Sequence, residues 1–186
     1  MSLQDTSLPA VAVEVEAEPA VDDLDVVSSP SFEAFYRNER TQIARGLMLT
    51  LRDSQLAIEA VDEAMTRAYA RWGQVSTFDN PSGWVYRVGV NWATSIRNRH
   101  RKRPQAPMDR GPMDISPVGE PDVLAALGEL DIPQRSVVVC RFYLGLSEAE
   151  TAKALGIRPG TVKSRLHRAL RRLETRLDHL RPEENS

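Results

Sequence analysis

The stretch from Ser147 to Arg172 constrains the fold more tightly than any other part of the sequence. Ser147-Glu148-Ala149-Glu150 places a serine three residues before a glutamate, the arrangement in which each side chain satisfies the other residue's free backbone N–H at a helix start. The helix so opened is short, because Leu155-Gly156 follows and glycine readily takes the left-handed conformation that ends a helix and turns the chain. Ile157-Arg158-Pro159-Gly160-Thr161 then begins a second helix with proline in its first turn, where the missing N–H costs nothing. A short capped helix, a glycine turn and a basic helix predict a helix-turn-helix.

On a helical wheel Val162, Leu166, Ala169, Leu170 and Leu173 fall on one arc and are expected to face a core. Thr161, Ser164, Arg168 and Arg171 fall opposite, with Arg165 and Arg172 beside them. Small hydroxyls at the helix start followed by arginines suit the major groove, where Arg bonds guanine edges or phosphate and Ser or Thr reaches either. The candidate duplex-binding set is Arg158, Thr161, Lys163, Ser164, Arg165, Arg168, Arg171 and Arg172. A helical hairpin with a merely solvated basic face is the competing reading, and the capped start, the turn and the one-sided arginines count against it.

The rest of the chain also reads as helical. Phe32, Phe35, Tyr36, Ile43, Leu47 and Leu51 recur at spacings of three to four. Asp53-Ser54 signals a second helix, with Leu56, Ile58, Val61, Met65, Ala68, Tyr69 and Trp72 on or near its apolar side. Gly73–Pro81 reads as a polar break, and Asn80-Pro81-Ser82 opens a third helix running to about Arg103. Residues 104–120, with Pro104, Pro107, Gly111, Pro112, Pro117 and Gly119, sustain neither regular period and read as a flexible linker. No β-branched alternation occurs. The expected fold is all-α: two small helical domains, 31–103 and 121–182, the second a helix-turn-helix domain, behind a disordered N-terminal tail.

Charge sharpens this division. The chain carries a net −2, but residues 1–30 hold seven acids and no Lys or Arg, so the remainder stands at +5. That opening is rich in Pro, Ala and Val without a sustained period, and reads as a disordered acidic tail. Six Lys/Arg and no acid lie between Arg87 and Arg103, and nine between Lys153 and Arg181 against Glu174 and Asp178. Two dense basic clusters, each ending a helical pattern, are the footprint of a polyanion-binding protein.

Other classes find little support. Apolar runs such as Val137–Cys140 fall far short of the ~20 residues that span a bilayer. The N-terminus lacks the basic and apolar regions of a secretory leader. A single cysteine, Cys140, excludes an internal disulfide framework and fits a reducing cytosol. One cysteine and three scattered histidines supply no zinc set, and no cofactor is expected. His100, His167 and His179 sit in Arg-rich stretches without a nucleophile or carboxylate arrangement, so no enzyme is expected.

The stretch Leu146–Ile157 followed by Gly160-Thr161-Val162-Lys163-Ser164-Arg165-Leu166-His167-Arg168-Ala169 resembles the fourth conserved region of extracytoplasmic-function (ECF) sigma factors. Thr151 departs from it, standing where an apolar residue is usual. Asn80-Pro81-Ser82-Gly83-Trp84-Val85-Tyr86-Arg87 and Asn91 resemble the family's Asn-Pro-x-x-Trp-Leu-x-Arg pattern in its second conserved region. Together the two resemblances cover about residues 31–103 and 121–178. They imply that the second module binds the −35 promoter element and that the first binds the melted −10 strand. Val85, Val88, Trp92 and Ile96 share an inward side of the first module's last helix, whereas Arg87, Asn91, Thr94 and Asn98 form an outward strip that can bond a separated strand. The candidate −10 set is Asn80, Trp84, Arg87, Asn91, Thr94, Asn98 and Arg101. Trp84 and Trp92 are candidate stacking platforms, with core packing the stronger reading for Trp92. Ser95 stands where the family often has Asp.

The resemblance further implies that the helix Ala57–Tyr69 contacts core RNA polymerase, through Val61, Asp62, Glu63, Met65 and Tyr69. Asp62 replaces a frequent Gln and Met65 a frequent Phe. The implied partners are core RNA polymerase and promoter DNA, with an anti-sigma factor admitted as a third, in the cytoplasm and away from the membrane. The rival is a stand-alone helix-turn-helix regulator, which would explain the second module and leave Asn80–Arg103 without a purpose.

Overall fold

The computed structural model describes residues 31–102 and 120–177, with the side chains of 100–102 left aside. Among these residues all regular secondary structure is helical, as expected: α1 Phe32–Leu51, α2 Ser54–Tyr69, α3 Trp72–Val75, α4 Pro81–Lys102, α5 Pro121–Gly128, α6 Ile132–Val138, α7 Glu148–Leu155 and α8 Pro159–Leu177. A π-helical turn, Val139–Tyr143, continues α6. The expected tail (1–30) and most of the expected linker lie outside the described residues.

Caps set the helix limits. The Ser31 hydroxyl accepts from the Ala34 N–H at 3.2 Å to start α1, and the Asp53 carboxylate accepts from Leu56 at 3.0 Å to start α2. Between them Arg52 takes a left-handed conformation (φ 54°) and its N–H returns to the Met48 carbonyl. The chain thus reverses within two residues, and α1 and α2 pack side by side.

Small residues let the first three long helices approach closely. Ala57, Ala60, Ala64 and Ala68 of α2 are fully buried, forming a flat strip. Gly89 of α4 sits at the crossing, where a Cβ would lie 2.9 Å from Leu47 Cδ1 and 3.3 Å from the Ala60 carbonyl oxygen. The Tyr86 hydroxyl meets that of Thr50 at 2.6 Å, so both buried polar groups are satisfied.

Five expectations are corrected. Tyr36 (40% exposed), Tyr69 (64%) and Leu170 (41%) are not core residues. Trp72 belongs to a separate short helix, and Gly73–Pro81 is not wholly a polar break, because α3 extends to Val75, which is buried. Tyr69 and Leu170 lie near an edge of their apolar arcs, whereas Tyr36 lies within its arc close to the start of α1; in each case packing with neighbouring elements rather than periodicity decides coverage.

The second half packs directly on the first. Leu127, Leu130, Val138, Val139, Cys140 and Ala169 join the core that α1, α2 and α4 form. Arg135 of α6 is buried at this junction. Its guanidinium donates to the carbonyls of Thr50 (2.5 Å) and Leu127 (2.7 Å), and also to that of Leu130. Arg97 donates to the Leu51 carbonyl at 3.0 Å. The two arginines therefore supply donors to the negative C-terminal end of α1, whose last carbonyls have no partner within the helix.

Candidate nucleic-acid interface

The helix-turn-helix forms as its sequence specifies. The Ser147 N–H donates to the Glu150 carboxylate at 2.7 Å and the Glu150 N–H to the Ser147 hydroxyl at 3.2 Å. The Ser147 hydroxyl and backbone N–H beside it hold the Glu150 carboxyl below its ordinary value. Gly156 ends α7 in the left-handed conformation, φ 66°, and the Ile157 N–H returns to the Ala152 carbonyl at 3.0 Å. A small core of Val137, Ala152 and Val162, joined by Leu155, Ile157 and Leu166, fixes α7 against α8.

On α8, Val162 and Ala169 are buried and Leu166 and Leu173 half-buried. Lys163, Ser164, Arg168, Arg171 and Arg172 are exposed, as is Arg158 just before the helix, whereas Thr161 and Arg165 are half-buried. Several of these groups already hold intramolecular partners. Ser164 donates to the Thr161 carbonyl, Arg168 Nε to the Ser164 carbonyl at 3.1 Å, and Arg172 Nη1 to Gln134 Oε1 at 3.3 Å. The result is an exposed basic face on which Arg168 lies along its own helix and Arg172 reaches α6.

A second polar strip runs along α4. Asn80 caps the helix, its Oδ1 accepting from the Gly83 N–H at 2.6 Å. Trp84 is half-buried and lies 6.3 Å from the Phe78 ring. Trp92 also packs against the core, in line with its core reading. Asn91 and Asn98 are exposed and Arg87 and Thr94 half-buried. The Thr94 hydroxyl donates back to the Val90 carbonyl at 2.8 Å. Arg101 lies in the last turn of α4, its side chain outside the described residues. Beside Asn80 a cavity of about 440 Å³ is lined by Phe78, Asp79, Trp84, Arg87 and Lys153. The sequence reading placed an unstacked base near this loop but missed Phe78, Asp79 and Lys153, because nothing in the linear order links Lys153 to Asp79. Lys153 Nζ and Asp79 Oδ2 stand 2.7 Å apart, which holds the Asp79 carboxyl below its ordinary range and the ammonium above its own.

The residues expected to meet polymerase divide by depth. Val61 and Met65 are buried at 0% and 2% exposure, so their side chains belong to the core of α2 and support a surface rather than form it. Asp62 is exposed and bonded by Arg40 through Nε (3.1 Å) and Nη2 (2.8 Å), and Glu63 pairs with Arg67 at 2.7 Å. Tyr69 stacks obliquely on Phe32 at 5.1 Å. Phe32, Tyr36, Arg40, Asp62 and Tyr69 line one groove of about 860 Å³. The sequence reading missed Phe32, Tyr36 and Arg40 here, having assigned the two aromatics to the core by their spacing alone.

Among the described residues no group of three or more His, Cys, Asp or Glu side chains is placed to hold a metal, and no helix is long and apolar enough to cross a membrane. A helix-turn-helix with an exposed arginine face, preceded by a helix with its own polar strip and an aromatic groove, defines a DNA-binding transcription protein. A profile of the family described as "Sigma-70, region 4" matches residues 122–173. The chain is 34% identical over 158 residues to the ECF RNA polymerase sigma factor SigM of Mycobacterium tuberculosis, covering 81% of this chain and 79% of that one. It is 34% identical over 152 residues to the RNA polymerase sigma-E factor of Streptomyces coelicolor, covering 78% and 85%. Its fold is similar to the sigma factor RpoE of Bartonella quintana, solved in complex with the anti-sigma factor NepR (TM-score 0.65, 21% identity, 81% of this chain and 98% of that one). The chain belongs to the extracytoplasmic-function family of RNA polymerase sigma factors.

Proposed function

We propose that this sigma factor acts through two modules, residues 31–103 on core polymerase and the −10 element and residues 121–182 on the −35 element. The observation that carries this reading is the pairing of two separate polar DNA-facing strips, on α4 and α8, with an aromatic groove remote from the basic face of α8. In this reading Asp62, Glu63 and Tyr69, with Phe32, Tyr36 and Arg40, form the polymerase contact. Asn80, Trp84, Arg87, Asn91, Thr94, Asn98 and Arg101 hold the melted strand. Arg158, Thr161, Lys163, Ser164, Arg165, Arg168, Arg171 and Arg172 meet the −35 duplex. Phosphodiester chemistry belongs to the polymerase, so the chain works by placement alone, in the cytoplasm. An anti-sigma factor is its natural regulatory partner.

In-vitro transcription with core polymerase and a pool of genomic promoter fragments tests the reading. Discrete transcripts that depend on this chain are expected. Their absence, together with full-affinity duplex binding by the free protein, would favour a stand-alone regulator.

A further inference from the structure

The acidic opening of the chain is the one sequence feature that the two-module reading leaves without a role. It ends at Ser31, the cap of α1, on the lip of the aromatic groove. That groove runs between α1 and α2, with Phe32, Tyr36 and Arg40 along one side and Tyr69, Thr66 and Asp62 along the other. Its apolar surface is open, since Tyr36 is 40% and Tyr69 64% exposed. Its charges are unequally satisfied. Arg40 pairs with Asp62 and stands over the Tyr36 ring, 5.8 Å from its centre. Arg37, also in the lining, is exposed and holds no acid among the described residues. The remaining acid, Glu33, lies in the first turn of α1, where the helix N-terminus favours negative charge.

The sequence that meets this lip carries matching chemistry. Val21-Asp22-Asp23-Leu24-Asp25-Val26-Val27 supplies four apolar side chains and three acids without a base. Ser28-Ser29-Pro30 follows, residue types that favour reversal of the chain. A reversal there sends the preceding residues back along the groove. At ~3.3 Å per extended residue, Asp25 stands about 13 Å from a turn at Ser29. At ~1.5 Å per helical residue, Arg37 and Arg40 stand about 9 and 14 Å from Ser31. Leu24 and Val26 share one face of an extended chain and Asp23 and Asp25 the other. The apolar pair therefore covers the rings while an acid reaches the Arg37 rim. The loop to be closed is a few residues, so its entropic cost is small. The basic face of α8 offers arginines but no aromatic ring, a poorer match for a segment in which four of seven residues are apolar.

We infer that residues 21–27 occupy the aromatic groove of the free chain as an internal ligand, which core polymerase must displace. The displacement rests on the groove being the polymerase contact, as proposed above. A short tether holds the segment at roughly millimolar effective concentration, so a weak fit suffices to fill the groove. A groove free about one time in ten lowers the apparent affinity for polymerase about tenfold.

The test uses the full chain with Leu24→Ser and Val26→Ser combined, which leaves every residue of the described helices unchanged. Isotope-labelled wild type and variant are compared by NMR. Backbone signals of Tyr36, Thr66 and Tyr69 should shift between them, while those of Arg171, Arg172 and Thr175 should not. Unshifted groove signals, or shifts on α8 in their place, would overturn the inference. The variant should also bind core polymerase about tenfold more tightly than wild type. Tyr69→Ala, made in both forms, separates the inference from the proposed function. If Tyr69→Ala weakens polymerase binding but the serine variant gains no affinity, the proposed contact stands and the inference falls. If groove signals shift yet neither change alters polymerase affinity, the groove is not the polymerase contact, and the displacement step falls with it.

Discussion

Thr151 carries a hydroxyl into the interior beside the helix-turn-helix core. It is fully buried, and its Oγ1 finds no hydrogen-bond partner among the described residues. An unpaired buried hydroxyl costs roughly 1–3 kcal/mol of desolvation. Thr151→Val keeps the shape and removes that cost, so it should stabilise the protein by about 1 kcal/mol. Urea unfolding should show a higher midpoint with an unchanged slope. Asn80 poses a different question, because one side chain serves both a cap and a proposed strand contact. Asn80→Ala removes both and should cost about 1 kcal/mol of stability. Asn80→Asp keeps the acceptor for the Gly83 N–H but loses the amide donor and places a negative charge beside the strand. It should melt near the wild-type temperature yet slow open-complex formation, with a smaller defect on a pre-melted bubble. Equal defects on duplex and bubble would remove Asn80 from melting.

At the scale of elements, α8 separates support from recognition by depth. Val162 and Ala169 anchor it, while Arg168 is exposed and, among the described residues, bonds only along its own helix, to the Ser164 carbonyl. Turning its guanidinium outward to DNA therefore breaks no tertiary contact. Arg168→Ala should weaken holoenzyme binding by about 1–3 kcal/mol if it reads a base, with relaxed specificity at one −35 position. A phosphate contact would instead weaken all −35 variants alike; no loss on any promoter would end the assignment. In α4 the opposite constraint operates at Gly89. Alanine is the better helix former by about 1 kcal/mol, but its Cβ would meet Leu47, which has no exposure and no room to retreat. Gly89→Ala should therefore lower the thermal midpoint despite its helical propensity.

At the scale of the whole molecule, Cys140 and Tyr86 report on the junction between the halves. Burial pushes the Cys140 thiol up to about 12, and it also raises the Tyr86 hydroxyl above its ordinary value, with Cys140 contributing. Both groups ionise more readily unfolded than folded. Their protonated forms thus support the fold fully below pH 9.0, the thiol's ordinary value, and that support is lost as the pH rises toward about 12. Melting temperature should fall above pH 9, and Cys140→Ala should flatten the first part of the decline while the Tyr86 part remains. An unchanged profile would mean that Cys140 is not shielded at this junction.

The helices and the helix-turn-helix were legible in the sequence because their causes are local. Ser147 and Glu150 cap within three residues, Gly156 turns within one, and the apolar period of α8 needs no distant partner. The family followed from two such local patterns in order, Asn80–Arg87 and Gly160–Ala169. Local causes did not reveal which marginal side chains stay exposed. Tyr36, Tyr69 and Leu170 carry core-like spacing, yet no neighbouring helix covers them, and Val61 and Met65 lie beneath the surface they were expected to form. Nor could spacing show that Arg135 would bond the carbonyl of Thr50, or that Lys153 would meet Asp79. Those contacts depend on how separate helices dock, a matter of packing between surfaces far apart in the chain. The sequence by itself determined the long helices, the family and the residue chemistry along α4 and α8; tertiary packing alone decided that α7 lies against α4, because only docking joins surfaces so far apart in the chain.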